Sequence, residues 1–300
     1  PAEDPIDLGE KDQNLLAAWR ILFENEYSAE IKDLEGLEMN VFGFEVQHDV
    51  MAKDKFLKTE FHLNPARTLS MGDKVLKEQF DQNGVLTRPV VRVVNLSENY
   101  HRTMDELRMR DRDRLLSVDV KIAHVSHPYG WLKSASYKCR DCGTSTEVKQ
   151  RRARERESPS VCRICLQKSL DGIDTKDIPI AHFYPRPNFR MLIDECYYED
   201  VQDVSMRQIS YNKDHHLIQC SAKFELIGTL SDDLVGDVES SSFMRVNGIL
   251  RVQPIPTRNF AKDTRRLLSI DVISVEPFAA ALGGLGEFGL CRCRFSDRCV

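Results

Sequence analysis

Hydrophobic positions in the first hundred residues recur mostly at helical spacing. Five of them follow the i, i+1, i+4, i+7, i+8 pattern of one helix face: Leu15, Leu16, Trp19, Leu22 and Phe23. Asn64-Pro65 places a cap before a proline at the first helical position, and Gly84 is typical of a helix end. The inner face of this second helix is predicted to carry Leu69, Val75, Leu76 and Phe80. With short extended pieces near 40–46 and 90–96, residues 1–113 are predicted to form a mostly helical domain.

From Leu116 onward the hydrophobic period changes to two. Leu116, Val118, Val120 and Ile122 alternate with Ser117, Asp119 and Lys121, which predicts a strand with one buried face. Strand patterns return in 224–230, 244–252 and 268–275. Short strands interrupted by a cysteine-rich segment favour a five-stranded oligonucleotide-binding (OB) barrel. We therefore predict an α+β multidomain chain with an N-terminal helical bundle, an OB barrel over 114–134 and 182–277, and an insertion over 135–181.

Composition places the chain among ordinary globular proteins. Hydrophobic residues make up 41% and charged residues 30% of 300 residues, enough for about two domains. No stretch approaches the roughly 18 to 20 apolar residues of a bilayer crossing, and the amino end Pro1-Ala2-Glu3-Asp4 lacks the features of a signal peptide. We expect no membrane partner and no secretion, with a cytoplasmic location, or a nuclear one in a eukaryote.

Charge is distributed unevenly along the sequence. Residues 1–60 hold 15 acidic and 6 basic side chains, a net charge of −9, whereas the rest holds 36 basic and 32 acidic ones, a net charge of +4. An acidic front and a mildly basic remainder exclude a general polyanion binder, but they permit a local basic site in the second part.

Four of the nine cysteines have the spacing of a metal site. They form Cys139-x2-Cys142 and Cys162-x2-Cys165, with 19 residues between the pairs. Two residues between thiolates let one turn aim both sulfurs at a tetrahedral ion, so two such turns predict one structural Zn²⁺ with no open coordination position. Disulfides and a redox-active pair are the alternatives.

The other cysteines do not extend this pattern. Cys196 and Cys220 are interpreted as ordinary buried thiols. The glycine-rich segment 283–290 leads into Cys291, Cys293 and Cys299, and we expect residues 278–300 to be a linker and a non-native tail, with a second metal half-site as the alternative.

A basic segment joins two of the predicted strands. Residues 254–266 carry Arg258, Lys262, Arg265 and Arg266 against Asp263, a net charge of +3. A projecting hairpin of this kind can bring cations to phosphates, and Phe260 offers a stacking face. The alternative is a solvated turn. A second basic run, 149–157, either contacts nucleic acid or offsets the −2 charge of a four-thiolate zinc centre.

The sequence lacks the motifs of two enzyme classes. Residues 191–195 look like the acidic magnesium site of a P-loop ATPase, but the chain has no Gly-Lys dipeptide and hence no phosphate-binding loop. No His-x-Glu motif occurs, and Val161 precedes Cys162 where a zinc deaminase has proline. His124, His215 and His216 show no catalytic pattern.

The order of these parts resembles the amino-terminal region of minichromosome maintenance (MCM) replicative helicases. Residues 115–142 resemble the strand that leads into that family's first zinc pair. Asp232-Asp233-Leu234-Val235, followed by Val246-Asn247-Gly248-Ile249-Leu250-Arg251, resembles its "DDLV … V-x-GIL" stretch before the hairpin. The resemblance covers about residues 10–277.

This resemblance implies a module that grips DNA, assembles into rings or filaments that are commonly hexameric, and works with a C-terminal AAA+ motor. It puts Arg258, Lys262, Arg265 and Arg266 on the hairpin, adds Lys121, Lys133 and Lys223 on the barrel face, and makes the zinc ribbon an inter-subunit contact. Because motor motifs are missing, we expect a DNA-binding and ring-assembly fragment without turnover of its own.

Two departures from the family pattern stand out. Ser240-Ser241-Ser242 replaces the family's Pro-Gly-Asp. The inter-domain communication loop is recognisable only as Met206, Arg207 and Gln208, with residues 209–216 as an insertion beside it.

Three alternatives remain open from the sequence. A single-strand binder like the large subunit of replication protein A also combines an OB fold with a zinc ribbon. A zinc enzyme would need an open coordination position, and a protein-interaction scaffold would use the acidic front.

Overall fold

A computed structural model describes residues 9–34, 41–81, 88–150, 156–170, 188–211, 217–220, 225–254 and 265–277, and the structural statements below concern these residues. No described helix is both long and apolar enough to span a membrane.

The first part of the chain is helical, with one small sheet. Its helices are α1 Glu10–Glu26, α2 Ser28–Leu34, α3 His48–Met51, α4 Lys55–Leu63 and α5 Pro65–Asp81. Two strands, β1 Val41–Gln47 and β2 Arg88–Val94, pair in parallel. Pro65 begins α5 as predicted, and the Asp54 side chain caps α4 by accepting hydrogen bonds from the backbone N–H groups of Phe56 and Leu57.

The helical domain buries the faces that its periodicity predicted. All five predicted α1 residues are buried, and Val75, Leu76 and Phe80 of α5 lie in the same core, with Leu69 packed against it. Trp19 is fully buried and its indole Nε1 donates a 2.9 Å hydrogen bond to the carbonyl of Thr68, which joins α1 to α5. This bond satisfies the polar atom of a large buried aromatic side chain.

The second part of the chain is a sheet of nine strands. Its strands are β3 Leu115–Val125, β4 Tyr129–Cys139, β5 Ser145–Lys149, β6 Phe189–Met191, β7 Tyr197–Tyr211, β8 Leu217–Cys220, β9 Leu226–Ser231, β10 Phe243–Pro254 and β11 Arg266–Pro277. A sixth helix, α6 Arg163–Leu170, belongs to the cysteine-rich segment.

Five of these strands pair in a cycle. β3 pairs with β10, β10 with β11, β11 with β9, β9 with β7, and β7 again with β3. Only the β9–β11 pairing of this cycle is parallel. The core inside it includes Val118, Val120 and Met206, with Leu230 and Leu250.

Strand β3 is buried on both faces, whereas its alternating pattern predicted one buried face. Ser117 and Asp119 are only 2% and 7% exposed. The Asp119 carboxylate lies 2.8 Å from Nε of Arg245, its register partner on β10, and 3.2 Å from Nε2 of His101, in the segment after β2 that covers this side of the strand. The alternation of polar and apolar residues predicted a strand here, but it did not predict that other segments would bury the polar face.

The helical domain packs directly on the strand cycle. Leu115, Ile249 and Ile273 of the strands belong to the core cluster of the helical domain. Arg92 of β2 crosses this boundary, donating to the carbonyls of Ser231 at 2.8 Å and Ile273 at 3.2 Å. Its guanidinium also lies 2.5 Å from Asp233 Oδ1, so a buried ion pair joins the two parts of the chain.

Candidate metal centre and nucleic-acid interface

The four predicted zinc ligands converge on one point. The Sγ atoms of Cys139, Cys142, Cys162 and Cys165 all lie within 4.8 Å of one another. The Sγ atoms of Cys139 and Cys165 are 3.8 Å apart, and those of Cys142 and Cys162 are 3.4 Å apart. These distances exceed a disulfide bond, and all four cysteines are free thiols. The donor set suits one four-coordinate Zn²⁺.

Local backbone geometry explains how each pair presents its sulfurs. The first pair lies on a tight turn after β4, in which Gly143 N–H donates to the Cys139 carbonyl and Cys139 N–H to the Thr144 carbonyl, both at 2.9 Å. Gly143 has φ +78°, a conformation that glycine adopts without steric cost. In the second pair, the Cys162 carbonyl accepts from Leu166 N–H at 2.9 Å, so α6 begins directly after this ligand.

The close approach of the thiols shifts the ionisation of two of them in opposite directions. A hydrogen bond with Thr144, whose Oγ1 lies 3.1 Å from the sulfur, lowers the pKa of Cys142 to about 6. Hydrogen bonding to Cys142 and burial among the other sulfurs raise the pKa of Cys165 to about 12. A bound divalent cation would favour the thiolate form of all four groups.

The ribbon around the cysteines has a small core of its own. Tyr137 is buried, its ring meets that of Phe189 edge-on at 6.5 Å, and its hydroxyl donates to the Glu157 carbonyl at 2.9 Å. Strands β5 and β6 pair with opposite edges of the C-terminal half of β4. Among the described residues this core is small, so a cation bound by the four sulfurs would add a cross-link between the two cysteine pairs.

The predicted basic hairpin is described only at its base. Strands β10 and β11 pair in antiparallel fashion as far as Pro254 and Arg266. Arg265 and Arg266 lie there with exposed side chains. Arg258 and Lys262 fall outside the described residues, as does Lys223 of the predicted barrel face.

The two remaining barrel-face lysines lie in different surroundings. Lys121 of β3 stands over the Phe243 ring, with Nζ 5.6 Å from its centroid, and pairs in register with Arg207 of β7. Lys133 of β4 instead forms a 2.7 Å ion pair with Glu199. Lys133 is therefore engaged by a carboxylate, whereas Lys121 contacts an aromatic ring.

Met206, Arg207 and Gln208 lie within strand β7, so the expectation that they form a loop is wrong. Met206 is fully buried in the core of the strand cycle, and Arg207 forms an ion pair with Glu225. Gln208 accepts a hydrogen bond from Asp105 N–H at 3.2 Å. Continuous pairing of β7 with β3 and β9 fixes this extended conformation.

The sequence also predicted two ordinary buried thiols, Cys196 and Cys220. Cys196 is half-buried rather than buried, with Sγ 3.1 Å from the Leu192 carbonyl. The Cys220 side chain lies outside the described residues.

Sequence reasoning missed a charged groove between the helical domain and the strands. This interdomain groove encloses about 740 Å³. Among its lining residues are Arg88, Arg112, Lys133, Glu199, Asp232, Arg251 and Gln253. Arg88 lies 2.9 Å from Asp232 and 3.3 Å from Glu199. The two arginines in the otherwise apolar strand β2 could have indicated this groove. A charged side chain in an apolar strand needs a partner of opposite charge when it is buried.

Burial shapes the acidity of the groove. Burial raises the pKa of Asp73 to about 6, although its carboxylate accepts a 2.7 Å hydrogen bond from Val91 N–H. Burial and the neighbouring Glu199 also raise the pKa of Asp232. Glu199 differs: burial opposes its ionisation, yet contacts with Lys133 and Arg88 hold its pKa below the usual range. The groove thus holds one firmly ionised carboxylate beside two that ionise reluctantly.

Comparison with known proteins identifies this fold. No protein-family profile matches the sequence, and no curated protein matches it. Among solved structures, the N-terminal domain of an archaeal MCM matches with a TM-score of 0.66 and 19% identity, over 89% of this chain and 99% of that one. The chain has the fold of an MCM N-terminal domain, and the resemblance inferred from the sequence is confirmed at the level of the fold.

Proposed function

We propose that the chain is the DNA-binding and ring-assembly module of an MCM-type replicative helicase. The observation that carries this proposal is the likeness of the fold, over 89% of the chain, to the N-terminal domain of an archaeal MCM. The chain supplies binding and assembly, and ATP hydrolysis belongs to a C-terminal AAA+ motor in the whole helicase. Its place of action is the cytoplasm, or the nucleus in a eukaryote.

The strand cycle supports an OB barrel as the DNA-binding core. Five strands that each pair with two others, with Greek-key order, are the arrangement that OB folds use for oligonucleotides. We assign residues 114–134 and 182–277 to this barrel, 135–181 to the zinc ribbon and 1–113 to the helical domain. The ribbon binds one structural Zn²⁺ through its four thiolates and contacts neighbouring subunits in the ring.

The basic hairpin is the proposed main contact with the DNA backbone. Arg265 and Arg266 are exposed at the base of the paired strands β10 and β11. Together with Arg258 and Lys262 they hold phosphates, while Lys121, Lys133 and Lys223 add weaker contacts from the barrel. Such contacts fix the position of the protein on DNA without selecting a sequence.

The salt dependence of DNA affinity tests the hairpin. Changing Arg258, Arg265, Arg266 and Lys262 together to Ala should lower the slope of log K against log salt by about 3, since each phosphate contact contributes about 0.7 to 0.9. Sequence preference should stay the same. Fluorescence anisotropy with labelled single- and double-stranded oligonucleotides provides the measurement.

A matched variant controls for loss of general charge. Lys32, Lys53, Lys55 and Lys58 have exposed side chains in the helical domain, and their joint change to Ala should leave the slope unchanged. An unchanged slope in the hairpin variant would refute the hairpin assignment. Sedimentation of the wild-type chain with DNA tests assembly, and a species that stays monomeric at all concentrations would contradict it.

A further inference from the structure

A second basic groove lies between helix α5 and the zinc ribbon. We call it the ribbon groove; it encloses about 680 Å³. Its lining includes Lys74 and Lys77 of α5, Lys149 at the end of β5, and the aromatic rings of Trp131 and Tyr197. This groove is distinct from the hairpin, and the sequence had indicated no binding role for the lysines of α5.

The ribbon groove carries excess positive charge. Its lining holds five cations, namely Lys74, Lys77, Lys149, Arg88 and Lys133, against the two carboxylates of Asp73 and Glu147. The last two cations are already engaged by Glu199 and Asp232. Lys74, Lys77 and Lys149 have exposed side chains and form no ion pair with any residue that the structure describes. Three ammonium groups are thus available to an anionic ligand.

The carboxylates in the lining do not cancel this charge. The Asp73 carboxylate accepts a hydrogen bond from Val91 N–H, and the Glu147 carboxylate accepts one from the Ser134 hydroxyl. These bonds orient the carboxylates without removing their charge, and three lysines against two carboxylates leave a net charge of +1. The balance that a ligand meets is positive.

Two aromatic rings stand beside the lysines. Trp131 is half-buried on β4, and Tyr197 is 42% exposed at the start of β7. The Arg88 guanidinium lies 5.2 Å from the centre of the Tyr197 ring and fixes that ring in place. Cations combined with exposed aromatic faces are the features by which proteins hold single-stranded nucleic acid, since phosphates meet the cations and bases stack on the rings.

Continuity with the interdomain groove favours an extended ligand. The two grooves share Arg88, Trp131 and Lys133 in their linings. The interdomain groove reaches Arg251 and Gln253 of β10, the strand that leads to the basic hairpin. A polymer bound at the hairpin can therefore continue along the interdomain groove into the ribbon groove, which a small anion would not require.

We propose that the ribbon groove is a second binding site for single-stranded nucleic acid, with phosphates on Lys74, Lys77 and Lys149 and a base stacked on Trp131. The proposal takes its ligand class from the proposed function but assigns a different surface. It predicts that the bound strand runs from the hairpin across the boundary between the helical domain and the ribbon.

Tryptophan fluorescence provides a direct test, because the chain has two tryptophans in opposite environments. Trp19 is fully buried in the helical core, whereas Trp131 lines the groove. Titration of the full chain with oligo(dT) should quench its emission, and Trp131→Phe should abolish the quenching. Quenching that persists in Trp131→Phe would overturn the stacking contact.

Charge removal provides the second test. Lys74→Gln, Lys77→Gln and Lys149→Gln combined should reduce the salt slope for oligo(dT) by about 2, and the affinity at low salt by about 10- to 100-fold. The matched control is Lys32→Gln, Lys55→Gln and Lys58→Gln, which should retain wild-type values. Circular dichroism of both variants verifies folding.

The outcomes separate this proposal from the proposed function. If the wild type binds oligo(dT), the hairpin variant loses affinity, and the groove variant keeps both slope and quenching, then the ribbon groove is refuted and the hairpin stands. If the wild type does not bind oligo(dT) or duplex DNA at all, the proposed function fails, and the groove fails with it.

Discussion

Asp73 shows at the scale of a single residue how burial and hydrogen bonding set ionisation. Its carboxylate accepts a hydrogen bond from Val91 N–H, which links α5 to β2. Burial destabilises the ionised carboxylate more than this hydrogen bond and the nearby arginines stabilise it. The pKa of Asp73 therefore rises to about 6. At neutral pH the protein therefore carries a buried charge that opposes folding.

Asp73→Asn should stabilise the protein at neutral pH but not in acid. The raised folded-state pKa means that the native state binds a proton more tightly than the unfolded state, so ionisation lowers the stability of the wild type as pH rises from about 4 through 6. The variant keeps an oxygen to accept from Val91 N–H, and its advantage at pH 7 should be about 1 to 3 kcal/mol. Urea unfolding at pH 4.5, 6 and 7.5 measures this. A difference that does not change with pH would contradict the argument.

The cysteine-rich ribbon shows, at the scale of an element, how a metal ion could stabilise a segment that has only a small core. The described side chains of its β5, β6 and α6 are not fully buried, and Tyr137 of the adjoining strand β4 is a buried aromatic residue at its base. Residues 139–142 and 162–165 bring four sulfurs within 4.8 Å of one another, so a bound cation would cross-link them. A small unit without a large core depends on such a cross-link, because apolar burial alone does not offset its chain entropy.

Removal of the metal should unfold the ribbon and leave the rest folded. We expect one Zn²⁺ per chain by elemental analysis, and loss of hydrogen-exchange protection in β5 and α6 after chelation or in Cys162→Ser. Backbone amides of β3, β10 and β11 should keep their protection. Cys196→Ser is the control, since this half-buried cysteine lies outside the cluster. Retained protection of α6 without zinc would show that the site is not structural.

At the scale of the whole molecule, Arg92 couples the helical domain to the strand cycle. Its side chain is 6% exposed and contacts Ser231, Asp233 and Ile273, which lie on the other side of the boundary. Gly43 permits this approach, because a Cβ there would lie 2.1 Å from Asp233 Oδ2. This buried ion pair fixes how the helical domain lies against the strand cycle. It therefore helps to set the shape of the interdomain groove and the ribbon groove.

Arg92→Ala should destabilise the protein by about 3 to 5 kcal/mol, since it leaves the buried Asp233 carboxylate unpaired. Guanidinium unfolding measures the loss, and Arg92→Ala combined with Asp233→Asn should recover part of it. Arg20→Ala, which breaks an exposed ion pair with Glu78, should have little effect. Equal losses in the two single variants would mean that burial of the pair is unimportant.

Local sequence determined several features of this protein. The spacing of apolar residues predicted α1, α5 and β3, and the two Cys-x2-Cys pairs predicted a metal site whose sulfurs converge in the structure. These features follow from neighbours along the chain, because helix and strand periods and short turns are local geometry.

Tertiary structure alone decided the rest. Strand β9 pairs in parallel with β11, and His101 and Arg245 cover Asp119. Met206 lies in a strand rather than a loop. Each of these features depends on residues that are far apart in sequence. The ribbon groove likewise gathers Lys74, Trp131 and Tyr197 from three separate elements. No local pattern marks such neighbours, because burial and pairing between distant segments depend on how whole elements pack.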